Sequence, residues 1–138
     1  MDTLSLKIIT PKKVVFEKEV NSVTAPTSDG EITILPHHSN LFSLLKEGVI
    51  KIKDNQNEDY FSIGAGYIET DGREVIILVS RAYGQDEIDE QFINQAIEKA
   101  KKVLSQAKTE QDRQAALSMM RRAIIDSKLL KKRKQKSI

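Results

Sequence analysis

The chain of 138 residues contains no cysteine. A disulfide framework and a thiolate metal site are therefore excluded, which fits a reducing compartment. Its 2 histidines, His37 and His38, are adjacent. On an extended chain neighbouring side chains point to opposite faces, so this pair cannot jointly grip a metal without a special turn, and no cysteine or third histidine is present to help. There is no tryptophan, and no aromatic residue follows Phe92. The C-terminal part thus lacks a stacking platform for single-stranded nucleic acid. No apolar run approaches the ~20 residues of a membrane span. The start, Met1-Asp2-Thr3, is acidic and polar, unlike a signal peptide. The expectation is a protein soluble by itself that meets a membrane only through a partner. Gly-x-Ser-x-Gly, a phosphate-binding glycine loop and His-Glu-x-x-His are all missing, and nothing pairs a nucleophile with its base. An enzyme is not expected.

Charge is what the chain has in quantity, and it is unevenly placed. Residues 1–87 hold 9 Lys/Arg against 14 Asp/Glu, whereas residues 88–138 hold 13 against 6. An acidic half joined to a basic half predicts two domains with different partners, 1–85 and 86–138.

The first 83 residues read as β. Leu4, Leu6 and Ile8 alternate with polar neighbours, and Thr10-Pro11-Lys12-Lys13 is a turn. Val14 to Phe16 and Val20 to Ala25 are short strands, the second ended by Pro26 and Ser28-Asp29-Gly30. The stretch Gly30 to Ile52 carries a short strand that stops at Pro36, then the two histidines and Asn40, then Leu41 to Leu45 and a further strand after Gly48. Asp54 to Asn57 is a hairpin turn, Tyr60 to Ile63 a strand, and Gly64 and Gly66 mark a bend or a close backbone approach. Two runs flank Asp71-Gly72 as a hairpin. Many short strands joined by turns predict a sandwich or barrel. Its core is expected to hold Leu4, Leu6, Ile8, Val23, Ile34, Leu44, Ile50, Ile63, Ile68, Ile76 and Leu78.

At Asp86 the period becomes helical. Ile88, Phe92, Ala96, Ala100, Val103 and Ala107 form one apolar stripe, and Asp86 stands as N-cap with Asp89 three residues on. Glu87 and Glu90 complete a carboxylate cluster suited to the positive helix end rather than to acid–base chemistry. Thr109 caps a second helix with Asp112 at its third position, and Ala116, Leu117, Met120, Ala123 and Ile124 make its stripe. A short connection predicts an antiparallel hairpin of two helices of ~20 residues. Alanine-rich stripes bury little area, so the hairpin is expected to be weakly held. Lys128 to Ile138 is dominated by lysine. Three readings compete for it: a solvated disordered end, a patch for nucleic acid or anionic lipid, and a surface that docks on an acidic protein.

One ordered set of short motifs carries a resemblance over nearly the whole chain. Gly30-Glu31, Ile34-Leu35-Pro36, His38, Leu41 and Gly48, then Gly66-Tyr67-Ile68-Glu69, Val75 to Leu78 and Ile88-Asp89 resemble the epsilon subunit of rotary F-type ATP synthases, the delta subunit of mitochondria. Thr33 and His37 stand where that family commonly has glycine. The resemblance implies an α+β protein, an N-terminal β-sandwich followed by a C-terminal antiparallel two-helix hairpin. It implies a non-catalytic rotor subunit without a cofactor, at the cytoplasmic face of the bacterial cell membrane as part of the proton-translocating complex. The implied partners are the gamma subunit, the polar loops of the c-ring and, through the C-terminal helices, the catalytic alpha and beta subunits. The implied role is coupling gamma to the c-ring and restraining ATP hydrolysis. Glu31 and His38 match the loop positions facing gamma and the c-ring. Arg121, Arg122, Lys131, Lys132, Arg133 and Lys134 supply the basic surface for an acidic loop of beta. Some bacterial members bind ATP through Ile/Leu-Asp-x-x-Arg-Ala; here Phe92-Ile93 replaces Arg-Ala, and phenylalanine has no forked donors for phosphate, so ATP binding is not expected. The alternative of another class is a β-domain adaptor whose basic tail binds nucleic acid or anionic membrane.

Overall fold

The computed structural model describes residues 2–136, with side chains through Lys132. The chain divides into two compact units, one ending at Gly84 and one beginning at Gln85. The first is all β: β1 Leu4–Ile9, β2 Val14–Val20, β3 Ser22–Thr27, β4 Gly30–Ile34, β5 Leu41–Leu45, β6 Gly48–Asp54, β7 Asn57–Ile63, β8 Gly66–Thr70, β9 Glu74–Val79 and β10 Ala82–Gly84.

The strands hydrogen-bond in the order β10-β7-β6-β3-β5-β8-β9-β1-β2, with β4 paired to β3. β3 and β5 meet only at Thr27 and Leu45, so the path folds there into two layers. Phe16 of β2 meets Phe61 of β7 edge to face at 5.5 Å, and the Lys18–Asp54 ion pair at 2.6 Å joins β2 to β6. These contacts close the sandwich across its open side. All pairings are antiparallel except β1 with β9, which run parallel. Leu6, Ile8, Val23, Ile34, Ile50, Ile63, Ile68 and Ile77 are among the fully buried side chains between the layers.

Three expected core positions face the other way. Leu44 is 60% exposed, Leu78 is 36% exposed, and Ile76 is half-buried. Leu45, Val75, Ile77 and Val79 take the interior instead. The reason is phase. In a strand only alternate residues share a face, and in Val75 to Val79 every residue is apolar, so composition cannot say which set points in. Pro26 also departs from expectation: it lies inside β3, opposite Glu31 of β4, rather than ending the strand.

The second unit opens with a 3-10 turn, Gln85–Glu87, followed by α1 Glu90–Ser105 and α2 Glu110–Lys136. The N-cap of α1 is Asp89, not Asp86; its carboxylate accepts from the N–H groups of Gln91 and Phe92. Asp86 and Glu87 belong to the 3-10 turn. Thr109 caps α2 as expected, its hydroxyl accepting from Asp112 N–H at 3.0 Å. The helices are unequal, 16 and 27 residues, or about 24 and 40 Å long at ~1.5 Å per residue. They pack on each other through Ile93 and Ala100 of α1 and Ala116 and Ala123 of α2, all buried.

Phe92 is 56% exposed and Ile124 47% exposed, so neither belongs to the packed stripe. Ile93 and Ile125, one residue on, are the buried members. The lysine-rich end is not an irregular tail. α2 runs through it to Lys136, with Leu129 and Leu130 buried. Lys, Arg, Gln and Leu are all good helix formers, and neither Gly nor Pro occurs after Gly84 to stop the helix.

Candidate docking surfaces

The two histidines sit on the loop after β4, and the structure shapes that loop with unusual backbone. His37 has φ 71°, the left-handed region that favours glycine. The chain is therefore turned, not extended, at this pair. Its N–H donates to the Gly72 carbonyl at 2.9 Å, and its ring meets Asp2 at 2.9 Å. Gly72, at φ 90°, closes the other side: a Cβ there would lie 2.5 Å from the His38 carbonyl oxygen. The Asp71-Gly72 turn thus braces the histidine loop. Asp71 Oδ1 accepts from the N–H groups of Arg73 and Glu74, both at 2.9 Å. The Glu74 and then the Arg73 backbone N–H hold the Asp71 carboxyl below the usual carboxylate range. His38 is half-buried, its Nδ1 at 2.7 Å from the Ser39 carbonyl.

Glu31 is exposed near the start of β4, whereas His38 lies beyond its end. They are seven positions apart, several of them in an extended strand rising ~3.3 Å per residue. The structure does not bring the two together. Arg121, Arg122, Lys131 and Lys132 are exposed on α2. Arg121, Lys128 and Lys132 fall in line on one side of that helix, spanning about 16 Å. Arg133 and Lys134 lie beyond the residues whose side chains are described. Among the described residues no group of three His, Cys, Asp or Glu is placed to hold a metal ion, and no helix is long and apolar enough to cross a membrane.

An apolar row on the outside of the sandwich was not expected. The registers put Leu44 opposite Tyr67, Tyr67 opposite Leu78, Leu78 opposite Ile9, and Ile9 opposite Val14. These five residues cross β5, β8, β9, β1 and β2 in one row on the outer face of their layer. Adjacent strands lie ~4.8 Å apart, so the row is about 19 Å long. Leu44, Leu78 and Val14 are exposed and the other two half-buried. The next row adds Phe42, 61% exposed and 5.1 Å from the Tyr67 ring, and Ile76. Gly66 allows the strands to come this close: a Cβ on it would lie 1.9 Å from the Leu78 carbonyl oxygen. Soluble domains rarely leave a continuous apolar patch uncovered, and such patches mark contact surfaces. The signal for it was in the sequence as Leu44-Leu45 and the all-apolar run of β9: strands with apolar residues on both faces must bury both or offer one.

Similarity to known proteins agrees with this architecture. Residues 3–85 match the family described as ATP synthase, delta/epsilon chain, beta-sandwich domain. The ATP synthase epsilon chain of Campylobacter curvus is 40% identical over 105 residues, 75% of this chain and 81% of its own length. That of Moorella thermoacetica is 34% identical over 125 residues, 90% of this chain and 93% of its own. Among solved structures, a chain of the Euglena gracilis mitochondrial ATP synthase (OSCP/F1/c-ring in rotational state 1) has the same fold, with TM-score 0.74 and 22% identity over 87% of this chain and 76% of that one. The sandwich, the two helices that follow it in the chain and these likenesses together place the chain in the ATP synthase delta/epsilon family.

Proposed function

We propose that this chain works as the epsilon subunit of a rotary F-type ATP synthase, a non-catalytic part of the rotor that docks on the gamma subunit through the outer face of β5, β8, β9, β1 and β2. The single observation that carries the reading is the apolar row Leu44-Tyr67-Leu78-Ile9-Val14, displayed on a rigid sandwich. The family relation supports an ATP synthase setting for that face, since similar chains are ATP synthase epsilon chains. The histidine loop, held in one shape by Gly72, is suited to face the polar loops of the c-ring, with His38 at its tip and Glu31 at the far end of β4 as a separate contact. The basic helix α2 is suited to the catalytic alpha and beta subunits, where it restrains ATP hydrolysis. The complex meets the cytoplasmic face of the cell membrane; this chain does so only as a peripheral component.

Titration of the full chain with the gamma subunit in a calorimeter tests the docking face. Covering a leucine contributes about 1.5–3 kcal/mol when it goes from exposed to buried. Leu78 is already partly covered, so Leu44→Ser with Leu78→Ser is expected to raise Kd by about one to two orders of magnitude. Both positions are on the surface, and the melting transition should be kept. Unchanged affinity would move the gamma contact elsewhere on the chain.

A further inference from the structure

The dipeptide Asp-Gly occurs twice, at Asp29-Gly30 and at Asp71-Gly72. In this dipeptide an aspartate side chain closes readily on the next backbone nitrogen, because glycine has no Cβ to shield it. Both copies sit in hairpin turns, and the fold treats them in opposite ways.

At the second copy the reacting groups are held. Gly72 is buried, and its N–H donates to the Thr70 hydroxyl at 3.0 Å. Asp71 Oδ1 accepts from the N–H groups of Arg73 and Glu74, both at 2.9 Å. The same donors keep the Asp71 carboxyl below the usual carboxylate range, so at neutral pH less of it is the acid from which water can leave. The Gly72 backbone also has no room to swing, since a Cβ on it would lie 2.5 Å from the His38 carbonyl oxygen.

At the first copy Ser28, Asp29 and Gly30 are all exposed. Asp29 N–H donates to the Thr27 hydroxyl at 3.2 Å, and that hydroxyl donates to the Gly30 carbonyl. Neither bond touches the Asp29 carboxylate, which has no hydrogen bond or ion pair among the described residues. A Cβ on Gly30 would meet nothing within 4 Å. β4 pairs with β3 alone, and Gly30 opposite Thr27 is the last rung of their ladder. The next rung sets Glu31 opposite Pro26, which has no N–H to give. A terminal rung backed by a proline opens at small cost.

We infer that Asp29 is a site of spontaneous isoaspartate formation and that the fold protects Asp71 from the same reaction. The Gly30 nitrogen attacks Asp29 Cγ. A C–N bond forms, a carboxyl C–O bond breaks, and the hydroxyl leaves with the amide proton as water. The product is a cyclic succinimide. Water then adds to one of its two carbonyl carbons; the C–N bond there breaks and a proton returns to nitrogen. Opening at Cγ restores aspartate. Opening at the main-chain carbon leaves the chain running through Cβ and Cγ, with the former main-chain carbon as a free carboxylate. Beyond water, no co-reactant enters. The main chain gains an atom at the tip between β3 and β4, which re-spaces exposed Glu31 from β3.

The test holds the full chain at neutral pH for several weeks, once folded and once in guanidinium chloride, and then cuts it with trypsin. No Lys or Arg lies between Lys18 and Lys46 or between Lys53 and Arg73, so Asp29 and Asp71 fall on separate peptides. Isoaspartate is read by methyl transfer from labelled S-adenosylmethionine with an isoaspartyl methyltransferase, and placed by fragmentation. Deamidated asparagines in the same peptides are set apart by their change in mass. The folded chain is expected to carry about tenfold or more isoaspartate at 29 relative to 71, and the unfolded chain equal amounts within about twofold. Equal amounts at both positions in the folded chain overturn the inference, as does none at 29 while the unfolded chain forms it at both. The same preference for 29 in the unfolded chain also overturns it, because the selection would then lie in the neighbouring residues and not in the fold.

Discussion

The two units of this protein are held by different kinds of side chain. Between the layers of the β unit lie Leu, Ile, Val and Phe, with Ala25 the one small residue of that cluster. At the seam of the helical unit, by contrast, three of the buried residues are alanines, Ala100, Ala116 and Ala123, with Ile93 seven residues before the first of them. Removing a large aliphatic side chain from a close-packed core leaves a cavity, whereas an alanine seam has little to lose. The lesson concerns roles. A sandwich so held can present a fixed face to a partner, and a helical pair joined through alanine can part from itself at smaller cost. The leucine pair Leu129-Leu130 qualifies this, because it adds larger buried groups to the last turns of α2.

That contrast can be broken most severely from the β side. Ile77→Ala, at a fully buried position, is expected to destabilise the β unit by about 2–5 kcal/mol. Ala123→Gly in the helical seam is expected to cost about 1 kcal/mol, through helix propensity. Denaturant titration followed by circular dichroism compares the two. A fragment of residues 1–85 is expected to keep a cooperative thermal transition, since its core lies within it. Similar losses from both substitutions, or a fragment without a transition, would contradict the division of roles.

The histidine loop sharpens the account of rigidity at a second level. Gly72→Ala forces a Cβ onto the His38 carbonyl at a positive φ and is expected to lower stability by about 1–3 kcal/mol. His37→Gly is expected to raise it by about 0.5 kcal/mol, because glycine is at ease at φ 71° and the side-chain contact with Asp2, exposed on both sides, contributes little. Thermal melts of the two variants should move in opposite directions. The smallest effects per residue are expected in the basic helix. Exposed ion pairs are worth about 0–1 kcal/mol each and weaken with salt. Arg121, Arg122, Lys131 and Lys132 changed to Gln should therefore raise ATP hydrolysis by the reconstituted enzyme at low salt and less at high salt, with assembly intact. Equal rates for wild type and variant at both salts would leave α2 without a charge-based brake.

Much of this was legible before any coordinates. Turn chemistry located the hairpins at Asp54–Asn57 and Asp71-Gly72, and the change of period located the helices. Three things were not legible, for three physical reasons. The inward phase of β9 was hidden because all its central residues are apolar. The cap of α1 was misplaced by three residues because Asp86 and Asp89 both suit the role, and only the 3-10 turn before Ile88 decides between them. The end of α2 resembled a disordered tail because lysine is common to both states; the absence of Gly and Pro after Gly84 was the better sign. Of the candidate site, the residues carried by resemblance proved to lie on separate elements, Glu31 on β4, His38 on the loop beyond it, and the basic group on α2. The apolar row escaped because it exists only once five strands are set in register.

The absence of cysteine from the native chain allows the central claim to be tested one position at a time. Leu78→Cys places a lone thiol in the middle of the apolar row, and Ile124→Cys places one on the exposed side of α2. The measurement is the rate of maleimide alkylation of each variant with and without the gamma subunit. If gamma covers the outer face of the sandwich, alkylation at position 78 slows about tenfold or more on complex formation, while that at position 124 stays within about twofold. Protection of position 124 with position 78 still freely alkylated would contradict the account, and would assign the gamma contact to the helices instead of the sheet.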